Sequence, residues 1–175
     1  MKGLWLDQNL TVIADSVYAN KIGGEQELVA KDVEISLPEV KNLTIEAKAM
    51  GNMNVPIIAQ FDNMEATIHH IGVDLGLAKM LAQETLELEV RWVDQVMMQG
   101  GGQTAVSCKA FLTGFPQGIP QIGVKPGEAV DVETPYIITG YTLKRGEDEL
   151  WSINRLSQTC VINGVDYFAD ISSML

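Results

Sequence analysis

This sequence of 175 residues predicts an all-β fold, a β-sandwich or small barrel, with one short α-helix and a long protruding β-hairpin. Three observations lead there. Apolar and polar residues alternate with a period of two along several stretches, as strands with one dry and one wet face require. Clusters of Gly, Pro and Asn separate those stretches. Helical spacing stands out in one place, about residues 75–82. The length suits a single domain, 1–175, with a sizeable core.

Taken in order, Leu10 to Tyr18 is apolar and short, either a strand or one or two helical turns; periodicity does not choose. Lys21 to Gln26 reads as a loop. Leu28 to Leu37 reads as a strand anchored by Val29, Val33 and Ile35 and ended by Pro38, which has no N–H for a ladder. The stretch from Val40 to Gly72 organises the chain. Leu43, Ile45, Ala47 and Ala49 share one parity, and Thr44, Glu46 and Lys48 the other. Gly51-Asn52-Met53-Asn54 supplies a turn. The second arm, Val55 to Ile71, puts Met64, Ala66 and Ile68 on its drier parity and Glu65, Thr67 and His69 on its wetter one. A hairpin of 40–72 is too long to lie wholly within a domain of this size, and its edges offer unpaired N–H and C=O groups. Neighbouring copies of the chain complete such a sheet most simply.

Asp74 then caps a short helix, Leu75 to Ala82, with Leu75, Leu77, Ala78, Leu81 and Ala82 on one face and Gly76 as a weak point. Thr85 to Met98 alternates, with Leu86, Leu88, Val90 and Trp92 opposite Glu87, Glu89, Arg91 and Val93. Gly100-Gly101-Gly102 turns the chain into a returning strand, Ala105 to Leu112. Residues 113–127, with Pro116, Pro120 and Pro126, form a long surface loop. Glu128 to Leu143 is a strand interrupted or bulged near Pro135. Lys144 to Glu149 is a charged hairpin turn, Leu150 to Leu156 its return, and Asn163-Gly164 a tight turn in the tail.

Composition removes several function classes. The start, Met1 to Leu10, lacks the apolar run of a signal peptide, and no stretch reaches the ~18 apolar residues of a membrane span, so a cytosolic protein without a membrane anchor is expected. The net charge of −11 opposes sequence-specific binding to nucleic acid. The two cysteines, Cys108 and Cys160, read as buried thiols. His69 and His70 fall on opposite faces of a strand and so cannot chelate one metal together. No CxxC, HExxH, EF-hand, phosphate-loop or GxSxG spacing occurs. Glu87 and Glu89 read as a solvated strand face, and Trp5, Trp92 and Trp151 as core or interface anchors. No catalytic residue, cofactor or metal is expected.

Several phrases, in order, resemble the major tail tube proteins of contractile-tailed phages (myophages) and R-type phage-tail-like bacteriocins. They are Ser36-Leu37-Pro38-Glu39-Val40 before the hairpin, Ala49-Met50-Gly51-Asn52-Met53-Asn54 at its turn, and Gly114 after the middle strands. They continue with Tyr141-Thr142-Leu143-Lys144, Glu149-Leu150, Asn154 and Val161-Ile162-Asn163-Gly164-Val165-Asp166. The joint order carries the resemblance over about Leu28 to Asp166; the apolar end, Ile171 to Leu175, departs from it. The resemblance implies a structural subunit without catalysis, in hexameric rings that stack into a hollow tube, with the hairpins closing one β-barrel around the lumen. It implies a virion tail or bacteriocin particle, assembled in the host bacterial cytoplasm. The implied partners are further copies of the chain, a tail sheath protein, a tape-measure protein in the lumen, baseplate or tube-initiator and tail-terminator proteins, and DNA that passes without specific binding.

In such a tube the dry parity Ile45, Ala47 and Ala49 faces the sandwich, and Thr44, Glu46 and Lys48 face the channel. On the second arm Glu65, Thr67 and His69 turn inward, unless a bulge past Asp62-Asn63 reverses them. Glu46 and Glu65 against Lys48 then leave one net negative charge per subunit. Gly51, Asn52, Met53, Asn54, Pro116, Pro120 and the N-terminal segment are expected between subunits. The type VI secretion tubes and the tubes of non-contractile tails are similar in architecture. A small-molecule-binding β-barrel is the competing class, and a hydrolase or isomerase lacks a nucleophile–base pair.

Overall fold

A computed structural model describes residues 8–175, so Trp5 and the rest of the N-terminal segment through Asp7 lie outside the described residues. The chain is predominantly β. Strands β1 (Gln8–Lys21), β2 (Glu27–Lys31) and β3 (Ile35–Ser36) come first, followed by β4 (Asn42–Lys48), β5 (Asn52–Phe61) and β6 (Glu65–Ile71). Helix α1 (Leu75–Met80) separates these from β7 (Leu86–Met97), β8 (Gln103–Pro116) and β9 (Asp131–Arg145). Strands β10 (Asp148–Asn154), β11 (Thr159–Ile162) and β12 (Val165–Asp166) and a second helix, α2 (Ala169–Ser173), close the described chain.

One antiparallel sheet runs β12-β11-β10-β9-β8-β7-β1-β2. It divides along β9, whose first half, Asp131–Ile137, pairs with β6, while its second half, Gly140–Arg145, pairs with β10 on the same edge. Strand β3 adds to the far edge of β6. This division lets the sheet fold over on itself without closing, and the buried faces of β6, β9, β1, β2 and β7 join in one core. Tyr136 is fully buried there and its hydroxyl donates to the Met80 carbonyl at 2.7 Å, tying β9 to α1. Tyr141 and Trp151 pack edge to face at 5.9 Å.

Local signals explain most of the elements. The Leu10–Tyr18 stretch takes the strand option. Asp74 caps α1 as its position suggests, accepting from the Leu77 N–H at 3.0 Å. That bond, together with His70 at 2.9 Å, lowers the Asp74 carboxyl's pKa below its ordinary value. Asn163 and Gly164 both take positive φ in the β11–β12 turn. Gly114 is required by space, since a Cβ there would lie 2.1 Å from the Ile137 carbonyl oxygen at a register shift in the β8–β9 pair. Gly76 lets α1 lie against β2, where a Cβ would come 2.8 Å from the Val29 carbonyl oxygen.

The structure departs from the sequence expectations at several places. The strand expected over Leu28–Leu37 is two, β2 and β3, parted where Asp32 takes positive φ. The paired hairpin ends at Phe61, and 65–71 is a strand of the main sheet rather than its second arm. Helix α1 stops at Met80 and buries Leu77 and Met80, leaving Leu75 79% exposed, because the close approach at Gly76 sets which side meets β2. Strand β8 runs on to Pro116, so the loop begins at Gln117. Strand β9 is continuous through Pro135, whose side of the strand faces the point where β8 ends and only the Gln117 N–H donates to its carbonyl at 3.1 Å. The apolar tail forms α2, which the sequence reading does not contain.

Candidate assembly surface

Strands β4 and β5 form a two-stranded sheet of their own, with no other strand on either edge among the described residues. Their register sorts the side chains. Ile45 faces Val55 and Ala47 faces Met53, which gives one apolar face. Thr44 faces Pro56, Glu46 faces Asn54 and Lys48 faces Asn52, which gives one polar face. A globular domain covers such an apolar face. Here Ile45 is 61% and Met53 49% exposed, so the pattern of a buried strand pair stands in solvent. At the tip, Met50 and Gly51 take positive φ, and Gly51, Asn52, Met53 and Asn54 are all exposed.

The base of the hairpin is fixed to the body. Between the pairs Asn42–Phe61 and Thr44–Pro56, residues 57–60 of β5 oppose Leu43 alone, a bulge in which Ala59 takes positive φ. The Asn42 amide donates to the Ile57 carbonyl at 2.8 Å across it. Ala59 in the bulge and Phe61 below it pack on the core. Arg155, in the turn after β10, donates through its two terminal nitrogens to the Phe61 and Asp62 carbonyls, each at 3.1 Å. The sequence gives no sign of this clamp, because Arg155 and Asp62 are remote along the chain and no spacing rule links them.

The six residues expected at a channel separate into two groups. Thr44, Glu46 and Lys48 share the polar face of the hairpin. Glu65, Thr67 and His69 lie together on the outer face of β6, opposite Ile137, Pro135 and Glu133 of β9. Glu65 accepts from the Asn63 amide at 2.8 Å, and His69 Nδ1 lies 3.1 Å from both carboxylate oxygens of Asp131. The opposite parity of this strand is dry, with Ala66, Ile68 and His70 buried. Of the other residues expected between subunits, Pro120 is half-buried, whereas Pro116 is buried as the last residue of β8 and presents no surface to a neighbour.

Arrangements for chemistry are sparse. Among the described residues no group of three or more His, Cys, Asp or Glu side chains is disposed to hold a metal ion. Cys108 and Cys160 are buried and unpaired, and burial pushes both thiols up from their ordinary pKa. Glu89 is buried, contrary to its expected place on a solvated face; Arg91 and Gln26 bind its carboxylate, and Arg91 stacks 4.2 Å over the Tyr18 ring. What the hairpin can do is recruit strands and apolar surface. A family model described as phage tail tube protein FII matches residues 18–175, and no curated protein matches the chain.

Proposed function

The chain belongs to the phage tail tube protein FII family, and from that premise we propose that it is the self-assembling structural subunit of a contractile tail, forming hexameric rings that stack into a hollow tube. The observation that carries this proposal is the hairpin β4–β5, an amphipathic pair whose apolar face and both edges lack cover among the described residues. Closing such hairpins from neighbouring subunits into one barrel covers Ile45 and Met53, pairs the free edges and leaves the polar face toward the channel. Thr44, Glu46 and Lys48, with Asn52 and Asn54 across the pair, then line the lumen. Glu65, Thr67 and His69 border it from the outer face of β6. Glu46 and Lys48 balance on the hairpin, so Glu65 supplies the net negative charge of each subunit's wall. That wall repels phosphate weakly and lets DNA or a tape-measure protein slide, whereas an arginine-rich wall would hold DNA by counterion release.

In this proposal the outside of the tube meets the sheath protein, its ends meet the tube-initiator and terminator proteins, and in a bacteriocin the same tube perforates a membrane. Negative-stain microscopy of the purified protein at high concentration tests the proposal. Rings or tubes are expected; a persistent monomer would count against it.

A further inference from the structure

The long strands carry a second uncovered surface at the end away from the hairpin's base. The first half of β1, residues 8–14, lies wholly exposed along the far end of β7, with Leu10, Val12 and Ile13 between 41% and 57% exposed. No charged residue occurs in Gln8–Ala14 or in Gln95–Ser107, although 20% of the whole chain is charged. The turn joining β7 to β8 adds Met98, 45% exposed, held by the bond from the Met98 N–H to the Gly102 carbonyl at 2.7 Å. Asp94 and Arg145, beside this surface, pair with each other at 2.9 Å. Strand β2 pairs with β1 only from Ser16 onward, so among the described residues no strand covers the β1 edge over this half. Isolated proteins blunt such an edge with charge. Here two register shifts, flanking Leu10 and Ile13, interrupt the row of backbone groups instead, and that favours cover by side-chain packing over pairing with another strand.

At the opposite end of the same strands lies a groove of about 450 Å³ between α1 and the β1–β2 turn. Its apolar wall is Ala19, Leu75, Ala78, Ala82 and Leu86, with Leu75 standing out into it. Two rim pairs are already matched, Lys21 with Glu84 at 2.9 Å and Lys79 with Glu27, and Glu25 lies on the rim outside them. An uncharged occupant therefore strips no ion of its partner. Strand β1 at ~3.3 Å per residue places the middles of the two surfaces roughly 30 Å apart, so the arm cannot reach the groove of its own chain.

We propose that the uncharged arm end, Gln8–Ala14 with the Met98–Gly102 turn, seats in the α1 groove of a second copy, head to tail, and that this is the axial contact between rings. The contact is heterologous and does not close, so it propagates without limit along an axis, as a tube requires. The inference rests on the tube assignment above and adds to it which two surfaces meet.

Cross-linking of assembled tubes tests it. Gln99→Cys and Ala78→Cys in one chain, oxidised after assembly, should give a ladder in denaturing gels that continues past six subunits; the native thiols are buried and stay out of the reaction. A ladder that stops at six places the contact within a ring and overturns the proposal, as do normal tubes without a ladder. Ile13→Glu and Leu75→Glu, each first shown to melt like the unaltered protein, should stop at single rings or free subunits, and tubes of ordinary length from both would also overturn it. Absence of tubes from the unaltered protein in the same buffer would instead remove the tube assignment on which the proposal stands.

Discussion

Strands β4 and β6 carry the same alternating pattern and meet opposite fates. In β6, Ala66 and Ile68 are 1% and 0% exposed, because β3 and β9 flank the strand and the core lies beneath it. In β4, Ile45 is 61% exposed and its partner strand stands apart from the main sheet. A period of two reports that one face of a strand is meant to be dry; it does not say which chain supplies the cover. The difference separates the part of the molecule that folds alone from the part that waits for neighbours.

The largest expected effect comes from placing the same charge in both strands. Ile68→Asp buries an unpaired carboxylate and should cost ~4 kcal/mol or more, enough to abolish the folded subunit. Ile45→Asp should leave the melting of the dissociated subunit within about 0.5 kcal/mol of the unaltered protein and prevent tubes altogether. Thermal melting and microscopy of the two variants side by side check the pair, and equal destabilisation by both would erase the distinction.

Glu89→Gln sharpens the folded side of the comparison. Burial raises the Glu89 carboxyl's pKa, but the bonds from Arg91 and Gln26 outweigh it and hold the group below its ordinary 4.5. A folded-state value below the unfolded one adds stability that is complete above pH ~4.5 and is lost as pH falls through the folded value. The variant should lose about 1–3 kcal/mol near neutral pH, since the Arg91 side chain is 38% exposed and partly solvated. It should also show a flatter acid limb below pH ~4.5 in urea melts across pH.

Arg155→Ala acts at the boundary between the two regions. It removes two bonds to the Phe61 and Asp62 carbonyls and should cost the subunit about 1 kcal/mol or less. Its larger effect should fall on assembly, because the packing of Phe61 and Ala59 alone then sets the angle at which the hairpin leaves the body. Light scattering should show slower tube growth, with Arg155→Lys between the alanine variant and the unaltered protein. The smallest effect on folding belongs to Glu46→Lys combined with Glu65→Lys. Tubes should still form, and DNA ejection from particles should slow in a manner relieved by salt. Labelling of both positions from outside intact tubes would contradict their place at the channel.

The parts legible in the sequence are those set by neighbours along the chain. The dry parity of Met64, Ala66 and Ile68, the Asp74 cap, the alternation of Leu86, Leu88 and Val90 and the Asn163-Gly164 turn all depend on spacing within a few residues. The extent of the hairpin is different. Asp62-Asn63 is visible as a break, but whether Glu65–Ile71 pairs back on β5 or crosses to Asp131–Ile137 depends on a competition between distant strands that periodicity does not register. Leu75 fails for the same reason, since its exposure follows from the approach of α1 to Val29 rather than from its own helical position. The Arg155 clamp leaves no trace at all, being one charged residue in a turn.

Hydrogen exchange read by mass spectrometry on the dissociated subunit and on the assembled particle tests the central claim most directly, with β6 as the internal reference. The account predicts that amides of β6 are protected in both states, while those on the free edges of β4 and β5 exchange rapidly in the subunit and become protected on assembly. Rapid exchange of β4 and β5 in intact tubes would contradict it, as would equal protection of both strands in the dissociated subunit.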